Sequence, residues 1–176
     1  MSRRFVIEAV MIAIYGQLLQ PKRAVEYRIP YSTVMELYDL RESEEPIMQN
    51  PVDERHVREK ISEMIAFFEA PLNKKKLERA LISPWKESPP MPVNEHVTLI
   101  VVNAIENMQY GELFDPIETE IILTSLRLQI PVLTDHVEFQ EKAVQHEVPI
   151  QLYDIDDFEF ALEEADKLTD GFSNFE

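Results

Sequence analysis

Between residues 96 and 168 the chain alternates between strand-like and helix-like patterns at short intervals, and this alternation restricts its fold more than any other feature. "HVTLIVVNAI" (96–105) is rich in β-branched residues and reads as a fully buried strand. A helix over 116–129, a strand over 131–134, a helix over 136–147, a strand over 149–153 and an acidic helix over 155–168 follow it. Strands separated by helices at this spacing indicate a parallel sheet covered on both faces.

The first forty residues follow the same scheme. Residues 4–8 read as a short apolar strand, a helical stretch runs through about Leu19, "AVEYRIPY" (24–31) returns to strand composition, and 32–40 reads as a helix. After a polar connection over 41–53, Val57, Ile61, Met64, Ile65 and Phe68 recur on one face of a helix over 53–69. A more basic helix over 73–82 comes next. "SPWKESPPMP" (83–92), with four prolines, is expected to be irregular, with Trp85 anchoring the loop. The expected architecture is one α/β domain over 1–170: a three-layer α/β/α arrangement with a central parallel sheet, a mostly helical segment at about 41–96, and a disordered tail at 171–176.

Composition narrows the chemistry. A chain of 176 residues suits one well-packed domain. The absence of cysteine excludes disulfides and thiolate zinc sites and fits a cytoplasmic protein. No apolar run approaches the ~18–20 residues of a membrane span, and the N-terminus lacks the cleavage signal of an exported protein, so no membrane partner is expected. With 17 basic and 33 acidic residues the net charge is −16, a field that repels nucleic acid at long range. Lys74, Lys75, Lys76 and Arg79 are the clearest candidates for a local basic patch. The acidic C-terminal stretch reads as a solvated helix face followed by a frayed end.

Gly16, Gly111 and Gly171 are never grouped, so no phosphate loop exists, which weighs against a doubly wound nucleotide-binding protein. His56, His96, His136 and His146 lack metal-ligand spacing. What remains is acids at strand ends and helix starts, the edge of an open α/β sheet where ligands bind. Glu8 is the one acid in the apolar run from Phe5 to Ala13, where an unpartnered carboxylate is costly. Glu36, Glu118, and the pair Asp135–His136 occupy comparable positions. Converging carboxylates can hold Mg²⁺ or Mn²⁺ and activate water for phosphodiester hydrolysis. Helix capping offers another explanation for three of these positions: Thr33 with Glu36, Asp115 with Glu118, and Asp135 with Glu138 all match a capping box. Glu8 matches none; its alternative is a strand-end residue facing solvent or an arginine.

The order of these segments resembles the PIN domain, a family of small metal-dependent nucleases. "RRFVIEAVMI" looks like the family's opening strand leading to an acid, and "IPYSTVMELYDL" like its second motif, a strand feeding a helix that carries a glutamate. "IETEIILTSLRLQIPVLTDHVEF" is the strongest match, resembling the closing motif, and "KAVQHEVPIQLYD" continues as the family does. The resemblance covers about 4–40 and 97–158 and carries the family's four acids onto Glu8, Glu36, Glu118 and His136, with Asp135 available in place of the last. Alignment on "QIPVLT" selects Glu118 over Glu120. This sequence departs from the pattern in having glutamate where the family has aspartate at two positions, His136 at the fourth acid, and Val10 where the first motif has asparagine.

The resemblance implies a Mg²⁺- or Mn²⁺-dependent endoribonuclease acting on single-stranded or structured RNA. Glu8, Glu36, Glu118 and Asp135 would hold the metal, and Asp135 or His136 would complete the shell or orient water. The departures and the charge of −16 support a second reading, a catalytically degenerate PIN-like protein that binds a partner. Residues 41–96, longer than the corresponding segment in compact members and so a mostly helical insertion by that resemblance, then cover one side of the domain or mediate self-association as a homodimer. Toxin function in a toxin–antitoxin pair is common in the family, and nothing in this sequence singles it out.

Overall fold

The structure is a computed structural model of the chain and describes residues 2–105 and 110–163. Its centre is a six-stranded sheet. In chain order the strands are β1 (Arg3–Val6), β2 (Val25–Pro30), β3 (Met91–Pro92), β4 (Val97–Val102), β5 (Val132–Leu133) and β6 (Leu152–Tyr153), arranged β3-β4-β2-β1-β5-β6 across the sheet. Every pairing is parallel except that of the edge strand β3 with β4. The helices are α1 (Ala9–Ile14), α2 (Tyr31–Glu42), α3 (Pro51–Glu69), α4 (Pro71–Ala80), α5 (Pro116–Leu128) and α6 (Val137–Gln145), with a further helical stretch over 155–163.

Because side chains alternate across each strand, the sheet feeds two cores. Phe5, Tyr27, Ile29, Leu99 and Val101 face the larger one, which they share with α1, α2, α3 and Phe158 of the closing helix. Val6 and Val132 face the smaller one, built with Ile121 and Ile122 of α5 and Phe139 of α6. Helices therefore lie on both faces of the sheet, as the alternation of patterns predicts.

α3 covers one side of the sheet. All five apolar positions spaced along α3 are buried and join the larger core. Asn50 caps this helix by accepting from the Val52 amide at 2.8 Å, and Pro51 occupies its first turn, so it starts before residue 53. The proline-rich segment corrects the expectation of a wholly irregular loop. The Ser88 amide donates to the Val101 carbonyl at 2.8 Å, Glu87 bridges Val102, and Met91–Pro92 form β3. Trp85 does anchor it: its amide donates to the Asn103 carbonyl at 2.8 Å, and the Arg127 guanidinium lies 4.4 Å from the ring centroid.

Two further corrections concern the termini of elements. β1 ends at Val6, so Glu8 does not end the strand but stands at the N-cap position of α1, with φ −77° and ψ 141°. A continuous apolar run does not distinguish a buried strand from a buried helix, so it cannot show where one passes into the other. The strand expected over 149–153 is only Leu152–Tyr153. The expected disordered tail at 171–176, and the end of the acidic helix beyond 163, lie outside the described residues. Among the described residues no helix is long and apolar enough to cross a membrane.

Candidate functional site

β1 pairs with β2 on one side and β5 on the other: the chain moves outward from β1 through β2 to β4 and then returns across the sheet to β5, so the strand order reverses at β1. Such a switch point leaves a crevice beyond the carboxyl ends of the strands. Glu8 follows β1, Glu36 lies in the second turn of α2 after β2, and Asp135 and His136 follow β5. All four line one crevice of about 660 Å³. Asp53, from the first turn of α3, adds another acid to its wall. Val10, Ile14, Leu40, Ile47 and Met48 make the rest of that wall largely apolar.

Glu8 is nearly buried, with 13% of its side chain exposed, and its partner is His136: Nε2 lies 3.4 Å from Glu8 Oε2. The same nitrogen is 3.8 Å from Asp135 Oδ1. The bond to Glu8 pushes the imidazole up to about 9; partial burial opposes this, and the charges of Glu8, Asp135 and Glu118 add to it. At neutral pH His136 is therefore an imidazolium. Asp135 is also held by Tyr15, whose hydroxyl donates to Oδ2 at 2.7 Å. Burial, and then that carboxylate, push the Tyr15 phenol up to about 12.

Glu36 is raised to about 7, first by burial and then by the negative charges of Glu8 and Asp115. It forms no capping box with Thr33. α2 begins at Tyr31, and the buried Thr33 hydroxyl is engaged elsewhere, donating to the Pro30 carbonyl at 2.9 Å and accepting from the Ala9 amide at 3.1 Å. Nor does Asp135 cap α6 with Glu138, since His136 holds the N-cap position and no side chain bonds there. Glu118 behaves differently. Its carboxylate accepts from the Asp115 amide at 3.1 Å while Asp115 accepts from the Glu118 amide at 2.7 Å, closing the capping box. Glu118 is not on the crevice wall, although its charge reaches His136. Glu120 bonds the Ser32 hydroxyl across the α2–α5 contact.

Of the sequence-derived candidates, Glu8, Glu36, Asp135 and His136 come together and Glu118 stays with its own helix. Among the described residues no group of three or more His, Asp or Glu side chains is placed to hold a metal ion. The arrangement accounts for this. Glu118 is occupied by its cap, and the His136 imidazole is paired with Glu8 at 3.4 Å and lies 3.8 Å from Asp135. As arranged, these residues do not fit a divalent ion.

Tyr15 and Asp53 escaped the reading of the sequence. Nothing local marks Tyr15, because its partner lies 120 residues away. No known protein family matches the chain, and no curated protein matches it.

Proposed function

We propose that the chain is a PIN-like protein whose acidic centre is built around an internal cation, and that it acts as a binding module rather than as a metal-dependent ribonuclease. The observation that carries this reading is the position of His136, 3.4 Å from Glu8 and 3.8 Å from Asp135. An imidazolium there neutralises the charge that carboxylates in a metal centre reserve for the ion. With Glu118 engaged in a helix cap, the acids that would share a metal are divided between separate tasks.

The crevice's remaining acids, in a chain of net charge −16, repel a phosphodiester. Its apolar wall and acidic floor suit an occupant with positive charge on an apolar body, such as a lysine or arginine side chain of a partner protein. The test is cleavage of single-stranded RNA with Mn²⁺ and with Mg²⁺, comparing the wild type with Glu8→Gln. Cleavage is expected to be absent or equal in both. Metal-dependent cleavage that Glu8→Gln abolishes overturns the reading.

Two observations favour the ribonuclease alternative: Glu8, Glu36 and Asp135 share a single crevice, and the His136 side chain is 55% exposed. Under that alternative the wild type cleaves RNA with Mn²⁺, and His136→Asp cleaves faster.

A further inference from the structure

One wall of the crevice is the connection between α2 and α3, residues 43–50, and this segment has little of its own to keep it in place. It contains no regular secondary structure, and Glu44, Glu45, Pro46, Gln49 and Asn50 are exposed. Ile47, Met48, Gln49 and Asn50 line the crevice, and of these Ile47 and Met48 also pack against the larger core. At its ends the Ser43 amide donates to the Asp39 carbonyl and the Asn50 carbonyl accepts from the Glu54 amide.

Between those ends, two side chains one turn apart on α3 hold the backbone. Glu54 Oε2 accepts from the Ile47 amide at 2.8 Å and from the Met48 amide at 2.7 Å. Its other oxygen accepts from Arg58 Nε at 2.6 Å. Arg58 then donates through Nη1 to the Leu40 carbonyl at 3.2 Å and through Nη2 to the Glu45 carbonyl at 2.9 Å. The two side chains thus fasten both the entry to the segment and its inward-facing residues. Neither contributes to the apolar face of α3, which packs through Val57, Ile61, Met64, Ile65 and Phe68.

We propose that residues 43–50 are a strap closing one side of the crevice and that the Glu54–Arg58 pair is the latch that sets its position and thereby access to the site. The inference is independent of what occupies the crevice. A segment with few buried contacts, held through a small number of side-chain bonds, opens at a lower free energy than the fold as a whole. Opening carries Ile47 and Met48 away from Glu8, Glu36 and His136 and leaves the sheet intact.

The absence of cysteine provides a probe, since Met48→Cys creates a single thiol on the crevice wall. Its reaction with a small methanethiosulfonate reagent is compared with and without Glu54→Ala, and with and without Arg58→Ala. Amide hydrogen exchange is followed in parallel in the chains that keep Met48. With Glu54→Ala, thiol reaction and exchange at residues 47 and 48 are expected to rise about tenfold, with exchange in α3 and the sheet unchanged. Arg58→Ala gives the same pattern with a smaller rise, because Glu54 still accepts from both amides. Unchanged rates at 47 and 48 overturn the proposal. So does acceleration spread through α3 and the sheet, which makes the pair a prop of the whole fold. If Glu54→Ala does not fold, Glu54→Gln retains one acceptor oxygen and carries the same test with a smaller rise.

Discussion

The first turns of α5 and α2 are spelled alike, an oxygen-bearing side chain followed three residues later by glutamate, yet they use that glutamate differently. At α5, Asp115 and Glu118 close on each other's amides. At α2, Thr33 instead ties the start of α1 to the end of β2, the helix starts at Tyr31, and Glu36 is left facing the crevice. The same contrast recurs further along the chain. Asp154 and Asp157 exchange bonds with each other's amides at 3.0 and 2.7 Å, whereas Asp135, drawn to Tyr15, leaves Glu138 without a cap to complete. Capping is thus settled by whether the leading oxygen has a stronger claim elsewhere. Glu36 and Asp135, neither of which closes a cap, both reach the crevice, whereas Glu138 stays exposed on α6.

The hardest way to break this comparison is Thr33→Val. It leaves the buried Ala9 amide without an acceptor and is expected to cost about 1–3 kcal/mol in urea unfolding. A loss no greater than that of an ordinary cap would remove the distinction between the two helix starts.

Next comes pH. Glu36 holds its proton to about pH 7 in the folded chain and to the ordinary glutamate value of 4.5 in the unfolded one, so the folded state binds more protons between these values. Stability therefore falls as pH rises through that window, by about 1–2 kcal/mol once solvent screening of a half-exposed group is allowed for. Glu36→Gln should flatten that part of the profile. A decline parallel to that of the wild type would mean Glu36 titrates as it would in water. His136 acts in the same direction at higher pH. Its contribution is complete below 6.5 and disappears as pH rises through about 9, so His136→Asn should remove that second decline.

Asp115→Ala opens the closed box and is expected to cost about 1 kcal/mol, with faster amide exchange confined to the first turn of α5. Glu138→Ala is expected to change stability by less than about 0.5 kcal/mol, because its matching residue does not cap. A larger change would mean that α6 draws on that acid after all.

Much of the fold could be read directly. The spacing of Val57, Ile61, Met64, Ile65 and Phe68 identified a buried helix face, and the β-branched run of 97–102 identified a strand buried along its length except at Thr98. These signals are local, since each depends on which residues recur at a helical or strand period. The candidate site was legible as a set of acids beside strand ends, but the role of each acid was not. Whether Glu118 caps and Glu36 does not depends on Thr33 meeting Ala9, a contact between two crossovers. Tyr15 meeting Asp135 is the same kind of fact. The Glu54–Arg58 pair stood at a spacing that makes neighbours on a helix, but its grip on 43–50 depended on how α2 leads into α3.

The pairing of Val6 with Val132 has a consequence for the order in which the molecule assembles. β1 can join β2 through a short crossover, which brings Glu8 and Glu36 toward each other early. Its other neighbour, β5, lies far along the chain, and contacts so distant in sequence form slowly. Until β5 docks, the two glutamates repel without the His136 charge that offsets them, and Val6 lacks the helices that cover it. Arrival of β5 supplies the counter-charge and the apolar cover in one step. The crevice is thus among the last parts to be completed, and a chain stalled before that step has the acids of the site without the group that balances them.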